Sequence, residues 1–219
     1  MALYYLDHDP QAAARYALDA HLAAGQVCAV TALSNAWHRV NPGYLPLDLK
    51  SPYDGLFLRR SSPPRGTQVT LQQPNPDPFY EERAGDPTYW LLKGQRIGMQ
   101  AWEAAPGSLW AAATALQYGW VHAYGVALAH EHKYRFGYFT AALPQLWTLE
   151  GVPPYLLSEE GNFTAPVPIV PGDCIVLDED GCYNTVESYR QYYRLHKQAL
   201  FHWHRRGEPA WLREDPPGP

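Results

Sequence analysis

The chain has little cysteine, no long apolar run and no excess of positive charge, and each shortage excludes a class of protein. Its 219 residues contain three cysteines, Cys28, Cys174 and Cys182, whose spacing matches no zinc motif and no disulfide framework. A pairing of Cys174 with Cys182 across a hairpin stays open. No stretch reaches the ~18–20 apolar residues that span a bilayer, so we expect no membrane partner. Since the chain opens without the pattern of a signal peptide, we expect a cytoplasmic protein.

Basic residues are outnumbered by acidic ones. Lys and Arg together number 17 against 22 Asp and Glu, which gives a formal net charge of −5. A protein whose affinity comes from neutralising the phosphates of a duplex is normally basic. The composition therefore argues against non-specific binding of duplex DNA. A pocket for one nucleotide or one flipped base needs only a few cations and remains compatible with this charge.

Several sequence motifs of catalysis are also missing. There is no glycine-rich phosphate loop and no G-x-S-x-G elbow. His122 and His130 do not have the i, i+4 spacing of His-Glu-x-x-His, although a metal-dependent hydrolase around them stays open as a third alternative. We therefore predict no metal site, and the sequence indicates no particular cofactor.

Proline and aromatic residues are abundant, and the prolines cluster. The 21 prolines are about twice the usual frequency. Helical patterns cover 11–40, 106–137 and 139–149, and a last helix begins at Thr185 and ends before Glu208-Pro209. Short strands are predicted at 2–6, 56–58, 67–71 and 174–177. We expect a mainly α protein with three to four long helices, a few short strands and a proline-rich irregular insertion or lid at 42–100.

This pattern predicts a single mainly helical domain over 1–212, followed by a disordered tail at 213–219. Polar residues interrupt its otherwise apolar helices. His21 or His38 is the candidate acid or base, since imidazole titrates near neutral pH. The candidate substrate-binding residues are Asp19, Arg39, Trp102, Arg135, Tyr192 and Lys197. The planar guanidinium groups of Arg39 and Arg135 are suited to bind a phosphate. The aromatic ring of Trp102 or Tyr192 is suited to stack on a base.

Each of these residues also has a structural interpretation. His21 is equally explained as a buried histidine with satisfied hydrogen bonds, and Arg39 as a cation favoured at a helix C-terminus. On a straight helix His21 and Arg39 would be about 27 Å apart, at ~1.5 Å per residue, so one small ligand cannot touch both. The sequence therefore predicts two separate polar sites on this helix.

Short polar and aromatic segments recur from end to end of the chain. They are Tyr5 to Pro10, Asp19-Ala20-His21, His38-Arg39, Trp102, Glu131 to Gly137, Phe163-Thr164-x-Pro166, Glu187 to Arg190, Tyr192-Tyr193, Lys197, Phe201, Trp203 and Pro209-Ala210-Trp211. In these segments the chain resembles a family of small proteins encoded by tailed bacteriophages. It departs from the family at Ala20, where the family has lysine, and at Ile97 to Gln100, where the family has Asn-His-Pro. The resemblance implies a mainly helical fold and a phage setting, and it implies no particular activity.

Two functions are compatible with these observations. The first is a phage-type enzyme that acts on a nucleotide or on a nucleobase in DNA, in nucleotide metabolism or DNA modification. The alternative is a non-catalytic acidic accessory protein that binds a phage or host protein. Loss of nucleotide turnover or binding in His21→Ala or Arg39→Ala would favour the enzyme, whereas mere loss of stability would favour the accessory protein.

Overall fold

A computed structural model describes residues 3–40, 89–92, 95–98, 106–157 and 161–213, without the side chains of 37–40, 89–92, 95–98 and 154–155. The described chain is mainly helical, as the sequence predicts. The predicted lid at 42–100 lies outside the described residues except for two short strands, and so do the predicted strands at 56–58 and 67–71. The predicted tail lies outside them beyond position 213.

The N-terminal helical pattern forms two helices. Helix α1 spans Pro10–Tyr16, and the carboxylate of Asp9 caps it by accepting the Gln11 and Ala12 amides at 3.1 and 3.2 Å. Helix α2 spans Asp19–Val40. The prediction of one helix over 11–40 is wrong at Ala17, whose backbone is extended and which is completely buried. A tertiary contact overrides local helix propensity here, because the Ala17 carbonyl accepts a side-chain hydrogen bond from Arg135.

Two strands follow in the described chain. Strand β1, Tyr89–Leu92, and strand β2, Gln95–Gly98, pair antiparallel, with Tyr89 opposite Gly98 and Leu92 opposite Gln95. The sequence analysis did not predict them.

The second helical pattern is also split. Helix α3 spans Pro106–Ala111 and helix α4 spans Ala115–Phe136. The helix predicted over 106–137 is therefore wrong between them, where the hydroxyl of Thr114 accepts the Gln117 amide at 3.2 Å and caps α4. Helix α4 ends because Gly137 adopts φ of 88° and donates its amide to the Lys133 carbonyl at 2.7 Å.

The C-terminal third alternates short helices with irregular chain. Helix α5 spans Ala142–Thr148, α6 spans Pro154–Leu157 and α7 spans Thr185–His196. The Asn184 side chain starts α7 by accepting the Glu187 amide at 3.0 Å. The last helix is shorter than predicted, since a 3₁₀ turn at Gln198–Leu200 follows it.

Two strand predictions are corrected by the backbone. The described part of 2–6 has no strand, although Tyr5 and Leu6 are buried as a strand would bury them. At 174–177 the chain forms a 3₁₀ turn, Gly172–Cys174, and then a single bridge between Leu177 and Tyr183. The run at 3–6 thus indicated the burial of Tyr5 and Leu6 but not the backbone conformation. In the run at 174–177, Cys174 is buried and Leu177 is exposed.

The chain divides into two compact units. Unit 1 comprises Met1–Ala29, Ala123–Leu143 and Phe163–Pro219, and unit 2 comprises Val30–His122 and Pro144–Asn162. The single domain over 1–212 stays a prediction. No helix in the described part of the chain combines the length and apolar character needed to cross a membrane.

The core of unit 1 is built from α1, the first half of α2, the second half of α4, and α7. Its buried apolar residues include Leu6, Ala13, Leu18, Leu22, Tyr124, Leu128, Tyr189, Tyr193, Trp203 and Trp211. Many of them are aromatic and carry a polar atom. The core therefore needs internal hydrogen-bond partners as well as apolar contacts.

Polar side chains in unit 2 bond to other side chains and to backbone carbonyls of the same unit. Asn35 donates to the Ser108 hydroxyl at 3.1 Å, and the Tyr118 hydroxyl donates to the Leu149 carbonyl at 2.6 Å. The Nε2 atom of His122 lies 2.9 Å from the Leu146 carbonyl oxygen. These bonds give the polar residues of α2 and α4 in this unit a structural explanation.

Candidate functional site

In unit 1, hydrogen bonds of Asp19 connect the start of α2 to the loop after α7. Asp19 donates its amide to the His202 carbonyl at 3.1 Å, and its Oδ2 accepts the His204 amide at 2.9 Å. The same Oδ2 forms a short hydrogen bond with Nδ1 of His202. Between the two histidines Trp203 is buried and donates its indole N–H to the Tyr16 carbonyl at 3.0 Å. Alternate residues of the loop therefore face the core and the solvent.

A completely buried arginine lies beneath this carboxylate. Arg135, in the last turn of α4, donates to Oδ1 of Asp19 at 2.8 Å and to Oε1 of Glu131 at 2.7 Å. It also donates to the carbonyls of Ala17 and Arg15, both at 2.9 Å. Four of the five guanidinium N–H groups are engaged in these bonds. Arg135 thus joins α1, α2 and α4, and the phosphate-binding role predicted for it is not supported by this geometry.

Glu131 extends the network to the surface. Its two carboxylate oxygens accept Nε and Nη2 of Arg206, both at 2.9 Å, so the pair is bidentate. Burial alone would raise the pKa of Glu131, but the hydrogen bonds from Arg206 and Arg135 outweigh it and lower the pKa. The same balance holds for Asp19, where burial is outweighed by the bonds from Arg135 and His202 and by the His204 amide. Both carboxyls are therefore ionised at neutral pH.

The imidazole of His202 is the exposed end of this network. Its side chain is 71 % exposed, whereas the Asp19 side chain is 12 % exposed. Because Nδ1 faces the carboxylate, Nε2 is the ring nitrogen that a ligand can reach. A carboxylate that orients an imidazole in this way is the arrangement by which many hydrolases and transferases prepare a histidine for proton transfer.

Cations and exposed aromatic rings lie near His204, whose ring stacks on that of His202 with centroids 6.2 Å apart. The Phe136 ring stacks on His204 with centroids 5.9 Å apart and planes 8° apart. Arg206 lies over the ring of Tyr134, 4.3 Å from its centroid, and Arg205 donates to the Tyr134 carbonyl at 3.1 Å. Arg205 has a positive φ of 59°, which is uncommon for a residue with a side chain. The arrangement offers positive charge and flat apolar surface side by side, which suits an anionic aromatic ligand.

His21 belongs to a second neighbourhood of unit 1, within the core. It is 8 % exposed, its Nδ1 lies 2.8 Å from the Tyr193 hydroxyl, and its ring stacks on Tyr4 at 4.3 Å. Burial, helped by the charge of Lys197, lowers its pKa to about 4. His21 is therefore a neutral core histidine at neutral pH, and the catalytic role predicted for it is not supported here.

The other predicted residues fall in three places. Nζ of Lys197 lies 4.9 Å from the ring centroid of Tyr192. The charge of Lys197 also acts on His21. His38 and Arg39 lie in the last turn of α2, and their side chains are outside the described part. Trp102 lies outside the described residues. Among the predicted residues whose side chains the structure describes, Asp19 contacts the exposed imidazole and Arg135 contacts Asp19.

The sequence analysis missed His202 and His204. Both lie in the segment that was predicted to belong to the last helix, which ends at His196. The signal that was available is the alternation His-Trp-His, which is typical of an extended strip with one face buried. The disulfide left open between Cys174 and Cys182 is not formed, since both are free thiols. His130 is exposed, and its ring packs edge-on against Phe139.

Three comparisons were made with known proteins. Neither the family models, nor the curated proteins, nor the solved structures contained a match to this chain. The function must therefore be argued from the site itself.

Proposed function

We propose that unit 1 carries an acid–base site that acts on a nucleotide or on a nucleobase in single-stranded DNA. His202 would take or release the proton at Nε2, and Asp19 would hold the ring and stabilise its protonated form. The observation that carries the proposal is the pairing of a largely exposed imidazole with a largely buried, ionised carboxylate. The proposal includes the phage setting that the resemblance implies, and with it the cytoplasm of the host cell.

The surroundings of His202 support this class of substrate. The exposed rings of Tyr134 and Phe136 offer stacking surface. Arg205, whose guanidinium donates to a backbone carbonyl, offers charge for a phosphate. A single nucleotide or a short single strand needs no more cations than this, so the net charge of −5 is compatible. Duplex DNA would present its bases stacked and out of reach of the imidazole.

The first test is a thermal-shift panel with nucleoside mono- and triphosphates and short single- and double-stranded DNA, each with and without Mg²⁺. A ligand that binds only the native state, present at about 100 times its Kd, stabilises it by about 2.7 kcal/mol, which gives a clear shift. Phe136→Ala should reduce this shift by removing stacking surface. A panel in which no ligand shifts the midpoint would contradict the proposal.

The second test separates binding from catalysis once a ligand is known. His202→Gln should keep the thermal shift and reduce turnover by about 10²–10⁴, the usual contribution of a general acid or base. His130→Gln is the matched control, because it removes an exposed histidine of the same unit that has no contact with Asp19. Full turnover in His202→Gln would refute the assigned role.

The exposed aromatic rings also favour a second function. Tyr134, Phe136 and Tyr138 are between 39 and 61 % exposed and lie on one short stretch of chain. Aromatic residues are enriched in protein interfaces, so an accessory protein could use them to bind a phage or host protein. An empty nucleotide panel together with capture of a partner by wild-type protein, and loss of that capture in Phe136→Ala, would favour this alternative.

A further inference from the structure

Three metal-ligating side chains of different chemistry meet where the 3₁₀ turn Gly172–Cys174 approaches the end of α7. Oδ1 of Asp173 lies 3.6 Å from Sγ of Cys174, and its Oδ2 lies 3.1 Å from Nε2 of His196. Each residue offers one ligand atom, and these three atoms all lie within 4.8 Å of one another. This is the one such group of three found among the described residues.

Two backbone elements position the three residues, the 3₁₀ turn for Asp173 and Cys174 and the end of α7 for His196. The turn is closed by the Cys174 amide, which donates to the Pro171 carbonyl at 2.9 Å, and His196 is the last residue of α7. Cys174 is completely buried, whereas the side chains of Asp173 and His196 are 59 and 39 % exposed. The thiol therefore closes the cluster on the protein side, and the carboxylate and imidazole leave it accessible from solvent.

We propose that Asp173, Cys174 and His196 form a binding site for one divalent transition-metal ion, with zinc as the best fit. Zinc is bound in proteins by thiolate, imidazole and carboxylate, with bonds of about 2.0–2.3 Å. In a tetrahedron with such bonds, neighbouring ligand atoms are about 3.3–3.7 Å apart. The three ligand atoms here lie within 4.8 Å of one another, so modest side-chain movements would bring them onto one ion. Three protein ligands leave a fourth position, which a water molecule or a substrate atom would take.

The choice of metal follows from the donors. Magnesium and calcium prefer sets made of oxygen atoms alone, whereas a thiolate favours zinc or another soft transition metal. No metal site was predicted from the sequence, since the cysteine spacing matches no zinc motif and His122 and His130 lack the spacing of His-Glu-x-x-His. The proposal is independent of the function proposed for His202, since it concerns different residues and is tested without any turnover.

The test is a titration of the full-length, chelator-treated and dialysed protein with Zn²⁺, followed by calorimetry, and with Co²⁺, followed by absorption. We expect one ion per chain and a cobalt spectrum with tetrahedral d–d bands and a thiolate-to-cobalt charge-transfer band. Cys174→Ser should abolish the charge-transfer band. His196→Asn, a change at the surface, should weaken binding at least tenfold while circular dichroism stays unchanged.

Two control variants make the result specific. Cys182→Ser removes the exposed free thiol, and His130→Asn removes an exposed histidine elsewhere in the unit, so neither should change affinity or spectrum. The proposal is wrong if wild-type protein gives no thiolate-to-cobalt band. It is equally wrong if the band survives in Cys174→Ser or disappears in Cys182→Ser, since another thiol would then hold the ion.

Discussion

Replacing His21 by asparagine should remove a large part of the acid sensitivity of the protein. The asparagine amide occupies roughly the position of Nδ1 and can still bond to the Tyr193 hydroxyl, 2.8 Å away in the wild type, but it cannot take up a proton. Burial lowers the pKa of His21 from its ordinary 6.5 to about 4. As the pH falls from 6.5 to about 4, His21 therefore takes up a proton in the unfolded chain but not in the folded protein.

The sign and size of the effect follow from proton linkage. Above about pH 6.5 His21 is neutral in both states and adds no pH dependence. Between about pH 6.5 and 4 the unfolded state binds more protons, so stability falls as the pH falls. At about 1.36 kcal/mol per pKa unit, the complete loss from this one residue is on the order of 3 kcal/mol.

The assay is urea unfolding of wild type, His21→Asn and His130→Asn at several pH values between about 7 and 4.5. His21→Asn should be less stable at pH 7, because it loses the stacking on Tyr4, yet it should lose about 2–3 kcal/mol less than wild type on acidification. His130→Asn, a change at an exposed histidine, should follow the wild-type pH dependence. Parallel pH profiles for wild type and His21→Asn would refute the argument that burial keeps His21 neutral.

Three further outcomes are expected from the same network and from helix propensity. Arg135→Gln removes the buried cation that Asp19 and Glu131 share, and it should destabilise by about 3–5 kcal/mol. Arg213→Gln at the surface should cost less than about 1 kcal/mol, and urea unfolding measures both. Asp19→Asn should speed hydrogen exchange of the His204 amide about tenfold or more, since a charged acceptor is lost. Gly119→Ala should stabilise by about 0.5–1 kcal/mol, because a methyl group there meets no atom within 4 Å.

Each of these outcomes has a contrast within the chain. Gly25→Ala has the same propensity gain as Gly119→Ala, but its Cβ would lie 2.7 Å from Cδ1 of the buried Leu128, so we expect a net loss of stability. Asn184→Ala should speed exchange at Glu187 and leave His204 unchanged. Equal effects of Gly25→Ala and Gly119→Ala, or of Arg135→Gln and Arg213→Gln, would contradict the packing described here.

The helical class was predictable because its signals are local. Asp9 before Pro10, and the long runs of helix formers, depend on residues within one or two turns of each other. The breaks at Ala17 and near Thr114 were not predictable in the same way. The break at Ala17 depends on a hydrogen bond to its carbonyl from Arg135, which lies more than a hundred residues further along the chain. Local propensity contains no information about such a partner.

The site residues divide along the same line. Asp19 and Arg135 were correctly selected as unusual, because charged residues in an apolar helix need a reason. The sequence does not show that each is the other's partner, and their predicted role in substrate binding stays a prediction. His21 was selected on the same grounds and proved to be a core histidine bonded to Tyr193. The exposed His202 was overlooked because Asp19, whose carboxylate orients it, is far away in the sequence.

The buried ions and the exposed imidazole form one hydrogen-bonded network. A completely buried guanidinium is stable only when its charge and donors are matched, and Arg135 is matched by two carboxylates and two carbonyls. The oxygens that Arg135 leaves unused then accept from the loop, at His202 and His204 for Asp19 and at Arg206 for Glu131. The position of the exposed histidine is consequently set by charges fixed in the core. In a chain of this kind the exposed titratable group tied to a buried ion pair is a stronger candidate for chemistry than the buried group itself, because only the exposed group can reach a substrate.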